Sequence, residues 1–185
     1  MSLRVISGTA RGRKLKSVPG DITRPITDRV KEALFNILAG DVVDSTWWDL
    51  FAGTGAVGIE ALSRGASFVR FTDLNREPIE TIKYNLSQCR FTERSEVHRA
   101  NSLSMLERAP DRKFQNIYIA PPQYKGIWEQ TVIAIDSNPG WLTEDAWVMV
   151  QIHPRENVDL ELSKLNKIDE RKYGSTLLLF YELKE

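Results

Sequence analysis

Apolar positions along the chain recur first at helical spacing and then in short runs that alternate with amphipathic stretches. Val30, Ala33, Leu34, Ile37 and Leu38 form an i, i+3, i+4, i+7, i+8 stripe, the mark of a helix burying one face. Thr27 is its candidate N-cap, because a hydroxyl there accepts an otherwise unpaired N–H of the first turn; Gly40 is its expected stop. Pro25 biases the backbone just upstream away from helix. Residues 46–50 then read as a short apolar strand, followed by a glycine-rich loop and a helix closing at Arg64-Gly65. A second strand is expected over 68–72. Pro78, tolerated in a first turn, opens a helix with Ile79, Ile82, Leu86 and Cys89 on one face. Strands over 96–100 and 114–119 flank a short helix around Leu103 and Leu106, and 147–152 is a further strand. Residues 165–173 and 176–183 read as a hairpin about Tyr173-Gly174-Ser175. Repeated β-α units ending in a hairpin predict an α/β doubly wound sheet, mostly parallel with an antiparallel edge and helices on both faces.

A chain of 185 residues, 42% apolar and 27% charged, is expected to fold around its own core without staples. The single cysteine excludes an internal disulfide framework and a multi-cysteine zinc site; its place on an apolar helix face assigns it to packing. With only two, distant histidines, no metal-ligand set is expected. No apolar run approaches the ~18 residues of a membrane span, and the N-terminus has no signal-peptide core, so a cytoplasmic monomer away from membranes is expected.

The net charge is zero, yet residues 1–38 carry eight basic side chains against three acidic ones, leaving +5 there and −5 elsewhere. A basic block on a neutral chain points to a polyanion held on one face. Residues 4–16 read as an extended, glycine-punctuated basic arm, and 1–38 as an appendage to a main domain over 39–185.

The residues with most chemical content run from Trp48 to Glu60. Gly53, Gly55 and Gly58 satisfy G-x-G-x-x-G between a strand and a helix, and Asp73 ends the next strand, 24 positions after Asp49. Glycines there allow a tight turn and close approach of a ligand to backbone, and the acid can bond ribose hydroxyls. Two ligand classes fit, a dinucleotide and S-adenosylmethionine. Asp49, four residues before Gly53, favours the second. Unit charges 4 Å apart interact by ~4 kcal/mol at an effective dielectric of 20, repelling a pyrophosphate and attracting an ammonium or sulfonium.

The stretch Asp49-Leu50-Phe51-Ala52-Gly53-Thr54-Gly55 resembles the first motif of class I S-adenosylmethionine-dependent methyltransferases. The resemblance is closest to the RsmD family, which methylates the exocyclic N2 of a guanine in 16S ribosomal RNA. Arg4-Val5-Ile6-Ser7-Gly8 with Arg11-Gly12-Arg13-Lys14-Leu15, the segment from Thr23-Arg24-Pro25 to Phe35-Asn36, and Tyr173-Gly174-Ser175-Thr176 support the narrower match. What the resemblance implies is a Rossmann-like class I methyltransferase with a seven-stranded sheet. It places S-adenosylmethionine against Asp49, Phe51, Ala52, Gly53, Thr54, Gly55, Gly58, Asp73, Leu74, Asn101 and Ser102. The partner is 16S ribosomal RNA or the small ribosomal subunit, met by Arg4, Arg11, Arg13, Lys14, Arg24 and Arg29.

The sequence departs from the family where the target amine is held. The family's fourth motif, Asp/Asn-Pro-Pro-Tyr/Phe, corresponds here to Ala120-Pro121-Pro122-Gln123, with Tyr124 next. These five residues are the expected catalytic stretch. Ala120 offers no side-chain acceptor, and an unpaired amine hydrogen costs ~1–3 kcal/mol. The Ala120 or Pro121 carbonyl and the Gln123 amide are candidate acceptors, and Tyr124 a candidate base-stacking residue worth ~1–3 kcal/mol. Asn101 stands where the family often has an acid near the adenine. Trp128, Trp141, His153 and His98 are expected to pack or line a rim. Two other classes stay open: a non-catalytic RNA-binding relative, and a methyltransferase with another amine acceptor.

Overall fold

The computed structural model describes residues 2–20 and 25–185. Its centre is a seven-stranded sheet in the order β3-β2-β1-β4-β5-β7-β6. The strands are β1 (Thr46–Asp49), β2 (Phe68–Asp73), β3 (Ser95–Arg99), β4 (Phe114–Ile119), β5 (Leu142–Ile152), β6 (Leu165–Tyr173) and β7 (Thr176–Leu183). The first five are parallel, and β7 runs antiparallel between β5 and β6. This is the doubly wound α/β sheet with an antiparallel edge that the alternating pattern predicts, and its seven strands match what the resemblance to class I methyltransferases implies. Strand order reverses between β1 and β4, so the crevice beyond their carboxyl ends is where an open α/β sheet binds ligands.

Among the described residues five α-helices cover the two faces: α1 (Asp28–Leu38), α2 (Ala56–Ser63), α3 (Arg76–Cys89), α4 (Ser102–Leu106) and α5 (Ile127–Ser137). On one face Trp47, Phe71, Tyr118 and Phe180 pack with Leu34 and Phe35 of α1, Ile59 and Leu62 of α2, and Ile82 and Leu86 of α3. On the other, Trp48, Leu50, Ile117, Ile119 and Val148 pack with Leu106, Trp128, Val132 and Ile135. Cys89 is buried among the first set, as its helix face predicts.

Thr27 caps α1 as expected, its Oγ1 accepting from the N–H of Val30 at 3.3 Å. The helix stops one residue earlier than Gly40 suggests. Ala39 takes φ +45°, and Gly40 lies inside the short 3₁₀ turn that follows. Helix α5 has no counterpart in the sequence reading. Its buried positions, Trp128, Thr131, Val132, Ile135 and Asp136, keep helical spacing, but two are polar and Ile133 on another face is exposed. Many of its residues are β-branched, which further blurs a helical signal. Strand β5 is longer than expected because Thr143, Glu144 and Asp145 at its start are polar and not buried.

The basic arm is not extended. Val5 N–H donates to Arg13 O at 2.9 Å, Gly12 N–H to Val5 O at 2.9 Å, and Leu15 N–H to Leu3 O at 2.8 Å, making a short hairpin with an Arg4–Lys14 bridge. Its alternate residues Leu3, Val5 and Leu15 join the first core. The turn clasps the end of α2: Thr9 N–H donates to Ser63 O at 2.8 Å, and Ala10 N–H to Ser63 Oγ at 2.9 Å. Gly8 makes that approach feasible. Its φ is +88°, and a Cβ there would lie 1.8 Å from the Ser63 carbonyl oxygen. Further along α2, the buried Glu60 accepts from the N–H groups of Ile6 and Ser7 at 2.9 and 3.0 Å. The same carboxylate pairs with Arg64 at 2.9 Å and the buried Lys31 ammonium at 3.4 Å. Lys31, counted in the basic block, is therefore spent inside the fold. No helix among the described residues is long and apolar enough to cross a membrane.

Candidate active site

The site is built where β1 and β4 end side by side. Asp49 and Tyr118 are register partners, and Leu50 N–H donates to Tyr118 O at 3.1 Å. From Asp49 the chain turns through the glycine loop. Gly53 and Gly55 take φ of +55° and +81°, values that L-residues rarely adopt. At Gly58 a Cβ would come within 2.3 Å of the Phe71 ring, so the third glycine serves close packing of α2 on β2. Asp73, at the end of β2, holds the loop: its carboxylate accepts from Gly53 N–H and from Asn75 N–H, both at 3.0 Å. Thr54 is tied from behind by Asn85 of α3. The Asn85 amide donates to Thr54 O at 2.9 Å and to Lys16 O at 3.0 Å, while its oxygen accepts from Lys16 N–H at 2.8 Å. One buried side chain thus joins the hairpin to the glycine loop.

Asp49 is 1% exposed, and its Oδ1 has no hydrogen-bond partner. Burial, and then the charge of Asp73, push its carboxyl up to about 8, against the opposing pull of the Gly58 and Phe51 amides. A buried carboxyl with a free oxygen at a ligand crevice is suited to a cation, which would supply the missing partner. Beside it, the buried Tyr118 hydroxyl donates to Gln151 Oε1 and is held well above the usual phenol range by burial and by Asp49.

The remaining residues of this first group lie around the loop. Leu74 is exposed just past β2, Phe51 is half-buried, and Ala52 and Gly55 are buried. Asn101 caps α4, its Oδ1 accepting from Ser104 N–H at 3.2 Å. Ser102 is buried and donates its hydroxyl to Leu50 O, fastening α4 to the end of β1.

The second group follows β4. Ala120 and Pro121 are half-buried; Pro122 and Gln123 are exposed, and Tyr124 presents 62% of its surface. Tyr124 takes φ +62° and Gly126 φ +66°, after which α5 begins. Tyr124 N–H donates to Glu156 Oε1 at 2.7 Å, and its ring lies 5.7 Å from that of His153. Glu156 Oε2 accepts from His153 N–H at 3.0 Å, and His153 Nδ1 from Arg155 N–H at 3.1 Å, a capping box at the turn after β5. Glu156 was not singled out by the sequence. Its signal was the His-Pro-x-Glu spacing, masked because histidine is an uncommon cap. Trp128 and Trp141 are buried, and His98 on β3 sits 3.2 Å from Glu96.

The basic candidates lie on the hairpin and α1. Arg11, Lys14 and Arg29 are exposed. Arg4 pairs with Asp28 at 3.1 Å, and Arg13 donates to Gln88 O at 3.1 Å, both with exposed side chains. Arg24 lies outside the described residues. Among the described residues no cluster of three or more histidine, cysteine or acidic side chains is placed to hold a metal.

Comparison with known proteins places this geometry. The family model described as Conserved hypothetical protein 95 matches residues 3–182. The Bacillus subtilis protein YlbH is 37% identical over 184 residues, covering 97% of this chain and 98% of its own. The ribosomal RNA small subunit methyltransferase D of Escherichia coli is 36% identical over 149 residues, 80% of this chain and 74% of that protein. The solved structure of Escherichia coli yhhF superposes with a TM-score of 0.88 at 31% identity, covering 100% of this chain and 99% of that one. With the sequence motifs, the fold and these likenesses in agreement across nearly its whole length, the chain belongs to the RsmD family of methyltransferases.

Proposed function

We propose that this chain transfers a methyl group from S-adenosylmethionine to the exocyclic N2 of a guanine in 16S ribosomal RNA. The observation that carries the reading is the partnerless Asp49 oxygen in the glycine-loop crevice of a chain 36% identical to a ribosomal RNA methyltransferase. S-adenosylmethionine, when bound, supplies an electrophilic methyl on a cationic sulfur.

The chain's own residues do the rest. Asp49 supplies the counter-charge for the donor's cationic end. Gly53 and Gly55 offer backbone without side-chain obstruction, and the buried Thr54 turns its hydroxyl back to accept from Ala56 N–H. Asp73, Leu74, Asn101 and Ser102 form the nucleoside side of the site. At the acceptor loop, Pro121 and Pro122 lack N–H groups that would compete for an acceptor, leaving the Ala120 and Pro121 carbonyls to orient the amine. Tyr124 stacks on the base. Holding the amine in line contributes ~7–11 kcal/mol to such a reaction, so loss of the side-chain acceptor at position 120 weakens catalysis without abolishing it. Arg4, Arg11, Arg13, Lys14, Arg24 and Arg29 contact phosphates, which position the RNA without reading sequence. This work belongs to a monomer in the cytoplasm.

The absence of an acceptor side chain at Ala120 also supports a second reading, an RNA-binding relative that no longer transfers. Labelled-methyl transfer to ribosomal particles from cells lacking the gene tests both. N2-methylguanosine in the 16S RNA is expected. Donor binding with no transfer to any RNA favours the second reading, and label on another nucleoside or on protein overturns the substrate assignment.

A further inference from the structure

We propose that Glu156 is a positioning residue for base recognition: its carboxylate holds Tyr124 in a left-handed backbone conformation so that one face of the ring is open to a nucleobase. The inference rests on reading residues 120–124 as the acceptor loop, and it adds the device that aims that loop.

Tyr124 is not glycine, yet its φ is +62°. An L-residue takes that conformation only at a cost that its surroundings must offset. The compensation is visible: Glu156 Oε1 accepts the Tyr124 N–H at 2.7 Å, a short charge-assisted bond. Its other oxygen takes the N–H of His153 at 3.0 Å. A single carboxylate therefore ties the loop between β4 and α5 to the turn after β5, two segments otherwise remote in sequence.

The same tie sets the aromatic geometry. His153 backs one face of Tyr124 at a centroid distance of 5.7 Å and an interplanar angle of 43°. A ring sandwiched between them would need two stacking gaps, roughly 7 Å in all and nearly parallel planes. That space is absent, so a base stacks on the side of the ring away from His153, which the 62% exposure of the residue leaves within reach. His153 serves as a backstop that limits how far the Tyr124 ring can fold inward.

The test uses the full chain and an RNA hairpin with 2-aminopurine in its loop, whose fluorescence falls on stacking whether or not a methyl is transferred. The wild-type protein, Glu156→Ala, Glu156→Gln, Tyr124→Ala and the Glu156→Ala/Tyr124→Ala double variant are titrated after thermal unfolding shows each to be folded. Quenching by the wild type is expected, with affinity for the probe falling roughly 5- to 50-fold in Glu156→Ala. Glu156→Gln, left with one carbonyl oxygen for two N–H donors, is expected between them. The double variant should match Tyr124→Ala, because Glu156 acts through that ring. Multiplicative losses in the double variant, unchanged binding by Glu156→Ala, or no quenching by the wild type would each overturn the proposal. The expected variant pattern in a protein that methylates no RNA overturns the catalytic reading alone and supports the role of Glu156.

Discussion

The side-chain amide of Asn85 donates to the carbonyl of Thr54 at 2.9 Å, so the glycine loop is braced by the same residue that grips the backbone of Lys16 in the hairpin. Asn85 is fully buried, as is its bond to Thr54, while its two bonds to Lys16 are half-buried. Asn85→Leu strands both groups of Lys16 and the Thr54 carbonyl, costing about 2–4 kcal/mol of stability. Donor affinity and RNA affinity are expected to fall together. Thermal unfolding and two separate titrations check this, and loss of only one affinity would show that the brace does not connect the sites.

On the proposed reading Asp49 sets the pH dependence of donor binding. In the free protein its carboxyl stands at about 8, so below that pH a cation must displace a proton to gain an ionised partner. Affinity for S-adenosylmethionine is expected to rise by up to tenfold per pH unit toward 8 and then level off. The donor's own amino group titrates near the same pH, so Asp49→Asn is the control: its weaker binding should lose the rise below pH 8. The sign for stability is opposite. An acid whose folded pKa is raised destabilises the fold as pH increases above its unfolded value, so Asp49→Asn should gain stability over wild type as pH rises from about 4 to about 8 and hold a constant advantage above that. Calorimetry at two pH values shows whether it does.

Restoring an acceptor at position 120 should accelerate transfer. Ala120→Asp can pair the amine hydrogen that the methyl side chain leaves without a partner, a gain of ~1–3 kcal/mol, or roughly 5- to 150-fold in turnover if it acts only in the transition state. Single-turnover rates with saturating donor measure this directly. An unchanged rate would mean that the backbone carbonyls already satisfy the amine.

Removing Glu60 from α2 is expected to loosen the hairpin before anything else. Glu60→Ala leaves the N–H groups of Ile6 and Ser7 without their partner and the buried Lys31 ammonium without its counter-ion, held only by the Arg4 carbonyl at 2.6 Å, a cost of about 3–5 kcal/mol. Burial already holds Lys31 below the usual lysine range. Without Glu60 that depression deepens, the unfolded chain binds the extra proton, and part of the lost stability should return as pH rises toward 10. Unfolding midpoints from pH 7 to 10 report the slope; a flat profile would mean that Lys31 finds water.

Arg11 and Lys14 are exposed on the hairpin. Changing both to Gln should lower RNA affinity at low salt and reduce the salt slope by roughly 0.7–0.9 per lost phosphate contact. Donor binding should not change. Gly8→Ala, which drives a methyl into the Ser63 carbonyl, should instead lower stability as well as RNA affinity.

The periodicity located the strands because their buried runs are short and bounded by glycine or charged residues. It placed Asp49 and the glycine loop at the end of β1 and Ala120 at the end of β4, strands that the doubly wound topology makes neighbours. It missed α5, whose buried stripe includes Thr131 and Asp136, since a hydroxyl and a carboxylate break an apolar pattern even when both face inward. The hairpin was hidden for another reason. Its partners, Glu60, Ser63 and Asn85, lie more than 50 residues away, and polar side chains that satisfy remote backbone leave no local mark. The basic block likewise overstated the free positive surface, because Lys31 faces Glu60 and Arg4 faces Asp28.

The pairing of β1 with β4 has a mechanical corollary. Two loops anchored on hydrogen-bonded neighbours stand about 4.8 Å apart at their roots, fixed by one continuous slab of backbone with no hinge between them. Such a scaffold needs no closing of lobes to bring the reagents together. On the proposed reading the travelling part is the nucleotide, which would leave its stack and swing to a stationary protein, so turnover should track how readily the RNA segment opens.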